Sequence, residues 1–138
     1  MPRPPLPPHL LELLRRPNPC VIATLRPDGQ PVTVATWYLL ENDGRILLNM
    51  DAGRRRLEYI RQDPRVSLTV LDGDNWSTHV SMQGRLVDLV DDSDLVDIDR
   101  IAVQYTGNPY PNRSRGRVSG WIDIAFWHAW GPGAKPTS

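Results

Sequence analysis

The chain has little with which to run chemistry of its own. It holds one cysteine, Cys20, in 138 residues, so it forms no intrachain disulfide, and a lone thiol fits a reducing compartment. Its histidines, His9, His79 and His128, stand far apart and share no metal-like spacing with one another or with Cys20, which argues against a zinc site. A nucleophile elbow, a Walker loop and a Rossmann glycine fingerprint are all missing. Formal net charge is zero, so nothing global points to nucleic acid or to an anionic membrane. No apolar run is long enough to span a bilayer. The start, Met1 to Pro8, lacks the apolar segment of an export signal, which makes the cytoplasm the expected location. Without secretion, the glycosylation patterns at Asn75-Trp76-Ser77 and Asn112-Arg113-Ser114 are chance matches. An enzyme so composed takes its chemistry from a bound cofactor.

Lysine is also nearly absent: Lys135 stands alone, and the other basic residues are arginines. Three of these, Arg54, Arg55 and Arg56, open what reads as a short helix, with Gly53 as its N-cap and Pro64 as its stop. Leu57 and Ile60 supply its apolar stripe. A helix N-terminus already carries partial positive charge and unpaired N–H groups. Cations stacked there repel unless an anion sits among them, and phosphate suits the place best. The bland alternative is a solvated charge cluster.

The length fits one domain, residues 1–138, with a proline-rich arm over 1–8 and a tail over 131–138. His9 to Arg16 reads as a short leucine-rich helix, broken at Asn18-Pro19. Strands follow: Cys20 to Arg26, then Gln30 to Leu40 after the turn at Pro27-Asp28-Gly29, then Arg45 to Met50 after Asn42-Asp43-Gly44. Both faces of Gln30 to Leu40 are largely apolar, so this strand is expected to be covered on both sides. After the arginine helix come Arg65 to Leu71 and a long strand from Trp76 to Val90, bent at Gly84. Five aspartates between Asp91 and Asp99 lack the glycine and closing glutamate of a calcium loop. They suit the start of a helix from Ser93 to Tyr105. Thr106 to Gly116 is a turn-rich loop whose Arg113 and Arg115 could cover a site, and Arg117 to Trp130 is a final strand. Tight hairpins imply antiparallel pairing, and about six strands with few helices fit a small closed barrel.

Thr24 to Pro31 followed by Thr36-Trp37-Tyr38 resembles the first hairpin of the flavin-binding split barrels of the pyridoxamine 5'-phosphate oxidase-like superfamily. Arg61 to Leu68, and Trp76 to Leu86 with Gly84-Arg85, resemble two further stretches in the same order, over roughly residues 10 to 130. Within the superfamily the chain most resembles short actinobacterial members that use the deazaflavin F420. The resemblance implies a mainly β fold: a six-stranded antiparallel split barrel with two to three short helices, assembled as a homodimer with cofactor sites at the interface. It implies that Arg54 and Arg56 bind the cofactor phosphate, with Arg55 assisting. Where Arg56 stands the family often has lysine, so residue type departs while charge is kept. Val34, Ala35, Thr36 and Trp37 would lie near the ring system, and Asn49 and Met50 would lead toward the phosphate. Phe126, Trp127, His128 and Trp130 match the region that covers the partner's ring. Trp76, Trp127 and Trp130 read first as barrel or dimer core and only second as ring contacts. The implied activity is hydride transfer between F420 and an unsaturated or carbonyl-conjugated small molecule, with His128 or Tyr105 as candidate proton donor. The alternatives are an FMN enzyme of the same fold and a flavin- or haem-binding protein without turnover. No nucleic acid, membrane or metal partner is expected.

Overall fold

The structure, a computed structural model, describes residues 2–135. It contains helices α1 (Pro8–Leu14), α2 (Arg55–Gln62) and α3 (Val96–Thr106). Its strands are β1 (Cys20–Leu25), β2 (Pro31–Thr36), β3 (Leu39–Leu40), β4 (Ile46–Asp51), β5 (Arg65–Leu71), β6 (His79–Asp91) and β7 (Arg117–Trp130). The strands form one antiparallel sheet in the order β2-β1-β5-β6-β7-β4-β3. The expected six strands are therefore seven, and the sheet is open rather than a closed barrel.

Both differences have one origin. The stretch read as a single strand, Gln30 to Leu40, is broken at Trp37-Tyr38. Tyr38 is fully buried, its hydroxyl donates to the Arg16 carbonyl at 2.9 Å, and its own carbonyl accepts from Gln104. These contacts pull the chain out of one sheet edge, and it rejoins the other edge as β3. β2 and β3 are thus consecutive in sequence yet lie at opposite ends of the sheet.

β2 also corrects the expectation of cover on both sides. It is an edge strand that pairs only with β1, and nothing in the described chain lies over it: Val34 is 43% exposed. By contrast, β4 is buried nearly throughout. Its Ile46, Leu48 and Met50 enter the main core with Ile22, Leu68, Val80 and Met82. β6 and β7 form the longest ribbon, and the bend at Gly84 is a bulge. A Cβ there would stand 2.1 Å from the Asp123 carbonyl oxygen, so only glycine permits the approach.

The ends are better anchored than their composition suggests. Leu6 is buried in the core, and the Pro2 and Arg3 carbonyls accept hydrogen bonds from Trp127. The proline-rich arm lies on the second half of β7, past the residues that β4 pairs, where its carbonyls meet N–H groups that no strand takes up. At the other end a 3-10 turn at Pro132–Ala134 is held by His9, whose Nε2 bonds the Ala134 carbonyl. The rest of the expected tail, 136–138, lies outside the described residues. Trp76, read as barrel or dimer core, sits in the turn before β6 and is 75% exposed, so it is no part of the core of this chain.

Candidate functional site

β4 runs into α2 through the tight turn Asp51-Ala52-Gly53-Arg54. Asp51 closes it: its carboxylate accepts from the Gly53 N–H at 2.9 Å, and its carbonyl accepts from the Arg54 N–H. Arg54 itself, extended and without a side-chain cap, is the N-cap, one residue later than expected. Burial of Leu57 and Ile60 fixes the helix against the core. The side chains of Arg54, Arg55 and Arg56 then border a single cavity of about 1100 Å³. That volume is at the large end of small-molecule sites.

Among the described residues no carboxylate pairs with any of the three. Arg56 is half-buried, and its Nε is fully buried without a hydrogen-bond partner. Burial, and then repulsion from Arg54, push the Arg56 guanidinium below its ordinary pKa. An arginine stays charged even so. A buried donor left unpaired costs roughly 1–3 kcal/mol, which an anion between the arginines relieves. The residues present therefore fit a phosphate.

One wall of the cavity is β2, through Val32, Val34, Ala35 and Thr36. Cys20 and Met50 form buried floor. Burial pushes the Cys20 thiol up to about 12, so it stays protonated and is no nucleophile. The opposite wall is aromatic. Trp37 stacks on Tyr105, with centroids 5.1 Å apart and planes 8° apart, and meets Tyr110 edge-on. Tyr105 lines the cavity with its ring, while its hydroxyl donates to the Asn18 carbonyl at 2.7 Å and burial raises its pKa. Arg117, the first residue of β7, lies across from Asp51 in the sheet and also lines the cavity.

Nine of the cofactor-site residues read from sequence thus border one cavity: Val34, Ala35, Thr36, Trp37, Asn49, Met50, Arg54, Arg55 and Arg56. Trp127 and His128 do not border it. Trp127 is bonded to the N-terminal arm, and His128 stacks on Trp130, both opposite β6. The loop arginines are already engaged, Arg113 with Asp99 and Arg115 with Asp51. The sequence reading missed Tyr110 and Arg117. Only the pairing of β7 with β4 brings Arg117 beside the arginine helix, and no local pattern announces it.

Antiparallel strands beside a cavity with a cationic rim give the architecture of a split-barrel protein with a site that fits an anion. The match to the family described as pyridoxamine 5'-phosphate oxidase covers residues 6–131, so the chain belongs to that family. Among solved structures it is similar to one called F420 reductase, at 25% identity and a TM-score of 0.80, over 89% of this chain and 98% of that one. It is similar also to a conserved hypothetical protein from Mycobacterium tuberculosis, at 26% identity and a TM-score of 0.74, over 93% and 86% of the two chains. General Stress Protein 26 from Bacillus anthracis, at 15% identity, shares the fold with a TM-score of 0.63 over 88% of this chain and 91% of its own. No protein of curated function matches. No helix of the described residues is long and apolar enough to cross a membrane.

Proposed function

We propose that this chain is an F420-dependent oxidoreductase that acts on an unsaturated or carbonyl-conjugated small molecule in the cytoplasm. The observation that carries the reading is the set of unpaired arginines at the start of α2, with the buried, partnerless Nε of Arg56 among them. The similarity to an F420 reductase along nearly the full length of both chains favours the deazaflavin. When bound, that cofactor would supply a hydride. Arg54 and Arg56 would hold its phosphate, with Arg55 assisting at the exposed rim. Val34, Ala35, Thr36 and Trp37 would set the plane of the ring, and Asn49 and Met50 would line the path between. The apolar walls would exclude water and orient the substrate. Tyr105, with its hydroxyl engaged by Asn18, is the weaker of the two proton-donor candidates; His128 would have to act from a partner subunit.

The arrangement calls for a C2 homodimer. β2 exposes Val32 and Val34, and Trp37 beside it is also exposed, so this apolar strip wants a cover. Trp127 and His128, remote from their own cavity, would reach the partner's. FMN is the second reading: the family match favours it, and an arginine site does not distinguish one cofactor phosphate from another. Side-by-side titration with F420, FMN and haem decides. Colourless protein that binds added F420 more tightly than FMN is the expected result; yellow protein that retains FMN, or a Soret band, defeats it. Light scattering at micromolar concentration should report a dimer, and a monomer alone would defeat the shared site.

A further inference from the structure

Arg117 differs from the other cavity arginines in how it is held. Its Nε donates to Asn49 Oδ1 at 2.8 Å, and its Nη2 makes a longer bond, 3.4 Å, to the Asn49 carbonyl. Asn49 is itself fixed. It is buried, and its amide donates to Asp92 Oδ2 at 3.0 Å and to Ser119 Oγ at 3.1 Å. Asp92 is pinned in turn by the N–H groups of Asp97 and Ile98 at the start of α3. The Tyr110 ring covers one face of the guanidinium at 4.9 Å. Arg117 is thus oriented on three sides by groups that leave its charge uncancelled. Among the described residues no carboxylate stands within ion-pair distance of it; Asp51, across from it in the sheet, feels its charge but is held by Arg115.

A guanidinium has more N–H donors than Asn49 uses, and they form a planar fork that matches a carboxylate. The surface beside it suits a flat molecule: Tyr110 and Trp37 meet edge to face, Trp37 stacks on Tyr105, and Ile98 and Ile101 complete the wall. We propose that Arg117 grips the carboxylate of a planar conjugated acid, and that this acid is the class of substrate the cavity takes. The inference rests on reading the cavity as a joint cofactor and substrate site, with the cofactor phosphate at Arg54 and Arg56. Arg117 is near enough to Arg56 to repel it, so the other source of an anion for Arg117 is the cofactor phosphate itself.

The test is equilibrium titration of the full chain, with and without saturating F420, using cinnamate and the uncharged cinnamamide as probes. Cinnamate should bind at least about tenfold more tightly, and Arg117→Gln should abolish that preference while moving F420 affinity by no more than about twofold, the size expected for removing a nearby charge. Arg117→Lys guards against a folding defect: it keeps the charge but loses the fork, and the preference should shrink without vanishing. Equal binding of the two probes by the unaltered protein overturns the proposal. So does a loss of F420 affinity in Arg117→Gln as large as that in Arg54→Ala, which assigns Arg117 to the cofactor phosphate. A preference unchanged in Arg117→Lys overturns the planar grip. If neither F420 nor FMN binds while the cinnamate preference and its loss persist, the cofactor reading falls, the acid is no longer a substrate, and the carboxylate grip of Arg117 alone stands.

Discussion

Two groups of arginines share this fold and are treated differently by it. On the outer surface Arg45 meets Asp43 and Asp88, Arg65 meets Asp63, Arg100 meets Glu41 and Asp97, and Arg113 meets Asp99. Around the cavity, among the described residues, Arg54, Arg55, Arg56 and Arg117 meet no carboxylate, and the acid that lines it, Asp51, is engaged by Arg115. The chain as a whole is neutral, so the average hides a local excess of positive charge. The paired arginines complete their surroundings; Arg3, Arg16, Arg61 and Arg85, unpaired among the described residues, are exposed to water away from the cavity, whereas Arg56 keeps a buried Nε without a partner until an anion arrives. The pairing state of an arginine, read together with its burial and its place at the cavity, therefore says more about its role than its presence in the sequence does.

The largest effect that could break this contrast lies at the cofactor end. Each charged hydrogen bond to phosphate is worth roughly 1.5–3 kcal/mol. Arg54→Ala or Arg56→Ala should weaken F420 binding by about tenfold or more, and the double variant by about a hundredfold. Thermal stability should hold or rise slightly, because each change removes repulsion at a helix N-terminus. Calorimetric titration beside a melting curve checks both halves. Unchanged affinity would make the unpaired arginines a mere solvated cluster.

Next in size is the support beneath Arg117. Asp92 is buried and accepts from the Asn49 amide and from the N–H groups of Asp97 and Ile98. Asp92→Ala leaves several donors unpaired, and should cost about 1–3 kcal/mol in urea unfolding. It should also lower affinity for the cinnamate probe, since Asn49 would lose its anchor. Full stability in this variant would mean that the network is ornamental.

How far the sequence could carry this picture follows from the range of each signal. Local patterns marked α2, the turns and β5 closely, because Gly, Pro and alternating apolar residues act over a few positions. The acidic run was also legible as a helix start, although α3 begins only at Val96, after Leu95 in a left-handed conformation. The break at Trp37-Tyr38 was not legible. Apolar alternation runs straight through it, and only burial of Tyr38 and its bonds to distant residues interrupt the strand. The same holds for the exposure of β2, since an edge strand that faces a cavity reads like one sandwiched in a core. Arg54 to Arg56 could be found because they are adjacent. Arg117 could not, because Asn49, Asp92 and Tyr110 reach it only through the fold.

A smaller effect sharpens the outer half of the contrast. Glu41 is bound by Arg100 at 2.7 Å and accepts from Trp121 Nε1 at 2.9 Å. The Arg100 hydrogen bond holds the Glu41 carboxyl below its ordinary 4.5. A lowered folded pKa stabilises above the unfolded value and is lost as pH falls through the folded one. Stability from this pair should therefore be complete above about pH 5 and fade in acid. Partly exposed pairs of this kind contribute at most about 1 kcal/mol. Glu41→Gln should lower the melting point slightly at neutral pH and flatten the acid limb below pH 4.5. An acid limb identical to that of the unaltered protein would show that Glu41 takes no part in it.

The smallest effects belong to the loop before β7, and they separate two arginines that look alike in sequence. Arg113 is bonded to Asp99 at 2.7 Å, on the flank of α3. Arg115 is bonded to Asp51, the residue that closes the turn into the arginine helix. Had this loop been a cover that reads an acidic ligand, replacing both arginines would weaken F420 binding and spare FMN. Their engagement with internal carboxylates gives a different expectation. Arg113→Gln should change neither affinity and should leave the melting point almost unmoved, as for other exposed pairs. Arg115→Gln leaves the Asp51 charge uncancelled beside Arg54, which draws on the field that attracts the phosphate. F420 and FMN should then weaken together, by about twofold at low salt and less at high salt, where the charges are screened. Paired titrations at two ionic strengths give the answer. A loss confined to F420 would make the loop a reader of the acidic oligoglutamate tail that F420 carries and FMN lacks, and would place Arg115 with the cavity arginines rather than the surface ones.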